Sequence, residues 1–217
     1  MAPQKAAPKT TVVAKTFLTN SDTPTALIQV AYEVRADVAA SADVGSGANT
    51  KFQSEGGITD SAGVPVTDAN GKQVAYQLPG YAWQSQKGKK VVTELKGKFQ
   101  MIFTLVIQTH YASGATAEQS SGYGRGTTTE DEAAGDTSLG FHESCHRSDY
   151  LEYLRNNPLP TYKGKTGITE QEFLAAGQTF GSDFAAYFDK MKKLSDARTD
   201  EVGYTKTEFK SKGPRTK

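Results

Sequence analysis

Two of the three histidines in this chain stand four residues apart, in His142-Glu143-Ser144-Cys145-His146. On a helix that spacing puts both imidazoles on one face, where they can grip a single metal ion. Glu143, directly after the first histidine, projects beside that ion and can accept a proton from a coordinated water. Zinc lowers the pKa of such a water to about 7 and polarises a scissile carbonyl. His142 and His146 are therefore expected metal ligands, Glu143 the general base and Zn2+ the cofactor. At this composition an HExxH pattern arises by chance in roughly a few chains per thousand.

A catalytic zinc needs a third protein ligand and an open position for water. No histidine follows His146, so a carboxylate must supply the third ligand. Glu152 stands where an HExxHxxGxxH site would place it, but Asp149 replaces the turn-forming glycine and Tyr150-Leu151 continue the helix. Asp149 shares a face with both histidines yet lies two helical turns from His142, which suits it to receive a histidine N–H rather than to bind metal. Glu172 and Asp183 fall near the edges of an apolar stripe on the next helix, and Glu172 also reads as a capping residue. Glu201 is the fifth candidate.

The order of elements, together with Asp196-Ala197-Arg198-Thr199-Asp200-Glu201-Val202-Gly203, resembles an uncharacterised bacterial family assigned as secreted zinc-dependent proteases. Members of that family end in a D-x-x-T-x-H-G pattern. Asp196 and Thr199 match it, Glu201 stands where the histidine would be, and one extra residue precedes the glycine. The resemblance covers mainly residues 138–204. It implies a zincin-type metallopeptidase and ranks Glu201 first as third ligand, Asp183 second and Glu172 third.

A peptidase of this kind also profits from a donor to the developing oxyanion. Tyr204, just beyond Glu201, and His110, at the end of a long strand, are the candidates. Cys145 projects about 100° from His146 around the helix, so it reads as a small packing residue rather than a ligand.

These residues need elements to hold them. Thr137 or Ser138 can cap a helix that carries the motif and stops at Asn156-Asn157-Pro158. A second helix begins at Thr169, where Glu172 completes a capping box. Its Phe173, Gly177, Phe180, Phe184, Tyr187, Met191 and Leu194 recur at helical spacing as a core face. Upstream, 26–34 reads as a strand, Asn70-Gly71 as a hairpin turn and 95–111 as one long strand with Phe99, Met101, Phe103, Leu105 and Ile107 on a single face. Residues 112–136 are Gly-, Ser- and Thr-rich: a long loop placed where a lid or substrate-binding edge would be useful.

The expected fold is thus α+β, an antiparallel β-rich half (11–111) and a helical half (137–205) in a single domain, with flexible tails at 1–10 and 206–217. The net charge of +1 gives no field for nucleic acid, and a single cysteine excludes an intrachain disulfide. Neither a signal peptide nor an apolar membrane span is expected, which points to a cytoplasmic protein or one exported by a non-classical route. The predicted activity is zinc-dependent hydrolysis of peptide bonds in protein or peptide substrates. The alternative is a catalytically inactive, zincin-like zinc-binding module with a structural or interaction role.

Overall fold

Alternation of apolar and polar residues shapes the first half of the chain. A computed structural model describes residues 11–22, 24–38 and 47–215, with backbone alone for 11–22 and 36–38. The tail expected at 1–10 lies outside the described residues. Seven strands precede the helices: β1 (Thr11–Asp22), β2 (Ala26–Val38), β3 (Ala48–Glu55), β4 (Tyr76–Gln77), β5 (Gly80–Gln86), β6 (Lys89–Lys96) and β7 (Phe99–Tyr111). The main sheet runs β1-β2-β7-β3, β4 also pairs with β7, and β5-β6 form a separate hairpin.

The architecture is α+β as expected, but the sheet is mixed. β2 and β7 run parallel, joined across Val30↔Phe103 and Val34↔Ile107, while β1-β2, β3-β7 and β4-β7 are antiparallel. The long strand expected over 95–111 is in fact two strands. Gly97, at φ +98°, turns the chain out of the β5-β6 hairpin and into the main sheet. The Asn70-Gly71 turn is present, closed by Gly71 N–H on Asp68 C=O and Val74 N–H on Val66 C=O.

Helices cover one face of this sheet. α1 (Thr129–Ala134) interrupts the stretch expected to be loop, with Thr128 as its N-cap. α2 (Leu139–Asn156) is capped by Ser138, whose Oγ accepts from Phe141 N–H. α3 (Glu170–Ser195) starts with the Thr169/Glu172 capping box. At its C-terminus the chain passes directly into a π-helical segment, Asp196–Asp200. The stretch expected to fray at the C-terminus instead contains α4 (Lys206–Lys212), with its own Thr205/Glu208 capping box.

The odd-numbered residues of β7 and the even-numbered residues of β2 point at the helices. They pack against Tyr150 and Leu154 of α2 and Phe173, Phe180, Tyr187 and Met191 of α3. Aromatic contacts dominate: Phe99 stacks on Tyr162 at 4.3 Å and meets Phe180 edge-on at 4.7 Å. Among the described residues, no helix is long and apolar enough to cross a membrane.

Phe180 is 2% exposed at the centre of this cluster. Phe180→Ala is expected to cost about 3–5 kcal/mol of stability, read as a lowered denaturation midpoint in urea.

Candidate metal centre

On α2 the residues His142, His146, Tyr150 and Leu154 recur every four positions and are all buried, with Glu143 buried beside them. The apolar part of this stripe anchors the helix, and the histidines occupy the end where the stripe runs past the core. His142 is 1% exposed and Glu143 2%. Two imidazoles so deeply buried need partners for all four ring nitrogens.

The outer nitrogens find them. His142 Nδ1 lies 3.0 Å from the Arg125 carbonyl oxygen, which can only accept, so that nitrogen carries the proton. His146 Nδ1 lies 2.8 Å from Ser195 Oγ at the end of α3. Both rings turn their Nε2 atoms to the same point. Asp200 Oδ1 stands 3.3 Å from His142 Nε2 and 3.2 Å from His146 Nε2. His142 Nε2 is buried without a hydrogen-bond partner. Three possible ligand atoms converge here, and a positive charge is what such an arrangement can accommodate.

His142, His146 and Asp200 therefore form a buried group that could hold a metal ion, with their ligand atoms all within 4.8 Å of one another. Burial works against a charge on Asp200, but the two imidazoles and Lys206 outweigh it and hold its pKa well below the usual carboxylate range. Burial likewise opposes protonation of His142, yet Asp200 and Glu143 raise its pKa above the ordinary histidine value. Both shifts describe a site that attracts cations.

The acid in the cluster is Asp200, not Glu201, and the π-helical segment explains why. Glu201 N–H bonds the Asp196 carbonyl at 3.1 Å, five residues back instead of four. That wider turn swings Asp200 inward, 4% exposed, and leaves Glu201 exposed at the C-cap. Asp183 is exposed on α3 beside Thr179 and Phe180, in a different cavity. Glu172 only caps α3, accepting from Thr169 N–H at 2.8 Å. Asp149 receives no histidine N–H. It accepts from Thr199 Oγ1 at 2.9 Å and so ties α2 to the π-helical segment.

The two expected oxyanion donors are also elsewhere. The Tyr204 hydroxyl donates to the Gly213 carbonyl at 2.7 Å and anchors α4. His110 sits in β7 opposite Asn49, and the cavity beside the histidines is lined by Asn49, not by His110. That cavity, about 90 Å3, is bounded by Thr50, Glu143, His146, Asp200, Tyr123 and Lys206. Tyr123 meets the His142 ring edge-on at 5.1 Å, and Lys206 Nζ stands 3.2 Å from Asp200 Oδ2. Neither residue was legible from sequence. Tyr123 is a lone aromatic in a Gly/Ser-rich stretch, and Lys206 opens a segment that reads as a tail.

The stretch 120–127 is a fixed wall. Gly124 N–H donates to Tyr204 C=O and Arg125 N–H to Thr199 C=O. Arg125 pairs with the buried Asp131 at 2.7 Å, and Gly126 N–H adds to the same carboxylate. Arg125 thus aims its carbonyl at His142 while its side chain is held from behind. Comparison with known proteins returns no matching family model, no matching curated protein and no matching solved structure.

Gly124 has φ +64°, and a Cβ there would lie 2.1 Å from the Thr199 carbonyl oxygen and 2.8 Å from His142 Cε1. Gly124→Ala is expected to push the wall off the π-helical segment and weaken metal binding at least tenfold, measured by titration with a chromophoric chelator. Arg125, above all, holds the Asp131 pKa down at about 2. A depressed folded-state pKa stabilises above the unfolded value of about 3.9 and loses that contribution as pH falls towards 2. Asp131→Asn should cost about 1–2 kcal/mol at pH 7, allowing for the exposure of Arg125, and the gap in Tm should narrow on acidification to pH 3.

Proposed function

We propose that the protein is a zinc-dependent metallopeptidase of the zincin type, with His142, His146 and Asp200 as zinc ligands and Glu143 as general base. The observation that carries this reading is the convergence of two Nε2 atoms, that of His142 without a hydrogen-bond partner, and one carboxylate oxygen beside a buried glutamate. A tetrahedral ion with bonds of about 2.0–2.1 Å separates its ligand atoms by about 3.3–3.4 Å. The 3.2 and 3.3 Å spacings from Asp200 Oδ1 fit that geometry. A donor set of two imidazoles and one carboxylate is one that catalytic zinc sites use.

Bound zinc would supply Lewis acidity to a substrate carbonyl and make water acidic enough to react near neutral pH. Glu143 takes the proton of the attacking water and returns it to the departing amine nitrogen as the C–N bond breaks. The Arg125 carbonyl fixes the tautomer of His142, and Ser195 holds the His146 ring in place. Lys206 holds the second oxygen of Asp200, so that Oδ1 alone faces the ligand position. Lys206 and Tyr123 replace Tyr204 and His110 as the polar groups facing a developing oxyanion.

A peptide suits the surroundings better than a compact substrate. β3 is the terminal strand of the sheet order, and its Ala48, Asn49 and Thr50 line the cavity. An extended chain could add to that edge by backbone hydrogen bonds and carry a carbonyl to the site.

Metal analysis beside a peptide-hydrolysis assay tests the reading on four proteins. The wild type should bind one zinc and cleave. Glu143→Gln should keep its zinc and lose activity by at least a thousandfold. Asp200→Ala should lose zinc affinity, and Glu201→Ala should retain both zinc and activity. Full zinc occupancy without turnover in the wild type would support the inactive zinc-binding module instead. A wild type that binds no zinc would defeat both readings.

A further inference from the structure

Glu143 and Arg147 lie one helical turn apart on α2, the spacing at which a glutamate and an arginine ordinarily form a direct ion pair. Here they do not meet. Arg147 Nη1 donates instead to Thr109 Oγ1 on β7. Thr109 Oγ1 lies 2.8 Å from Thr50 Oγ1 on β3, its opposite number in the antiparallel register. Thr50 Oγ1 lies 2.6 Å from Glu143 Oε2. The path leaves the helix at Arg147, crosses two strands and returns at Glu143.

Donor counting fixes its direction. An ionised carboxylate can only accept, so the single hydroxyl hydrogen of Thr50 goes to Glu143. Thr50 must then accept from Thr109, whose oxygen accepts from the guanidinium. The relay is sealed: Thr50 is 6% exposed, Thr109 0% and Glu143 2%. It also stands where the helix-facing row of the sheet changes character, one pair beyond Phe52↔Ile107. Two threonines side by side at the end of an apolar row are costly to bury unless their hydroxyls are fully used.

We propose that Thr50 is a positioning residue for Glu143, the last donor of a one-way relay from Arg147 through Thr109 that holds Oε2 and leaves Oε1 to handle the proton. This rests on the reading of Glu143 as general base. Interposing two hydroxyls has a chemical purpose. A direct guanidinium fork would engage both carboxylate oxygens and take Oε1 out of use. The relay fixes the rotamer through one oxygen and keeps the other on the cavity side. It also gives the edge strand β3 a part in the chemistry, because the strand that would receive substrate orients the base.

The test compares Thr50→Val, which keeps the shape and deletes the hydroxyl, with Thr50→Ser, which keeps the hydroxyl, both as zinc-loaded full-length chains. The infrared carboxylate band of Glu143, isolated by subtracting the spectrum of Glu143→Gln, is read alongside zinc content and steady-state kinetics. Thr50→Val should bind one zinc, shift the band, and lose about ten- to a hundredfold in kcat with KM within about twofold. Thr50→Ser should restore both band and kcat. Arg147→Met, which leaves the sheet untouched, should give a smaller change in the same direction and serves if Thr50→Val does not fold. An unshifted band in both Thr50→Val and Arg147→Met, or a loss that Thr50→Ser does not repair, would overturn the relay. If the wild type cleaves no peptide, the function proposed above fails, and the band alone still decides the relay.

Discussion

Two imidazoles on adjacent turns and a carboxylate meet at one buried point, and polar groups brought there must be partnered on every other side. Much of the C-terminal half is arranged around that demand. Every other polar atom of the three residues is committed: His142 Nδ1 to Arg125, His146 Nδ1 to Ser195 and Asp200 Oδ2 to Lys206. Those commitments come from three separate pieces of chain, namely the 120–127 wall, the end of α3 and the start of α4. A carboxylate and two histidines left to themselves would find water. Held this way, they present a converging set of possible ligand atoms, much as outer partners orient the ligands of a metal.

The sheet contributes rigidity rather than ligands. Parallel pairing of β2 with β7 sets the long central strand, and the apolar rows on its helix-facing side seat α2 and α3. The same rows carry the threonine pair that meets Glu143. Scaffold and site are therefore continuous along one face, apolar where the aromatic side chains interlock and polar at the Thr50↔Thr109 pair. Tyr150 marks the boundary, with Phe52 edge-on at 5.1 Å on one side and His146 stacked at 6.3 Å on the other.

What the sequence revealed follows the range of the interactions. His142, Glu143 and His146 were legible because a helix turns a spacing of four into a shared face, and that rule is local. The Ser138 and Thr169 caps and the aromatic stripe of α3 were legible for the same reason. Asp200 was not. Asp200 and Glu201 are adjacent acids, and choosing between them requires knowing that the helix is π-wound at that point, which no composition or period announces. Thr50, Ser195 and Lys206 escaped notice because each reaches the site from far along the chain, and a lone threonine, serine or lysine carries no pattern. The break at Gly97 was hidden by apolar alternation that runs on through it. The parallel β2–β7 pair was hidden too, since strand periodicity says nothing of direction.

The π-helical segment also exposes the site to a kind of change that substitutions do not capture. Asp200 faces inward because the chain between Asp196 and Glu201 is one residue longer than an α-helical turn requires. Removal of Ala197 or Arg198 would restore the ordinary winding and carry the acid round the helix axis by about 100°. Every functional side chain would survive such a deletion in identity, and the cluster would still come apart. In evolutionary terms, the centre is guarded by the length of a five-residue stretch as much as by its chemistry, and its reading frame of helical turns is something an inventory of residue types cannot show.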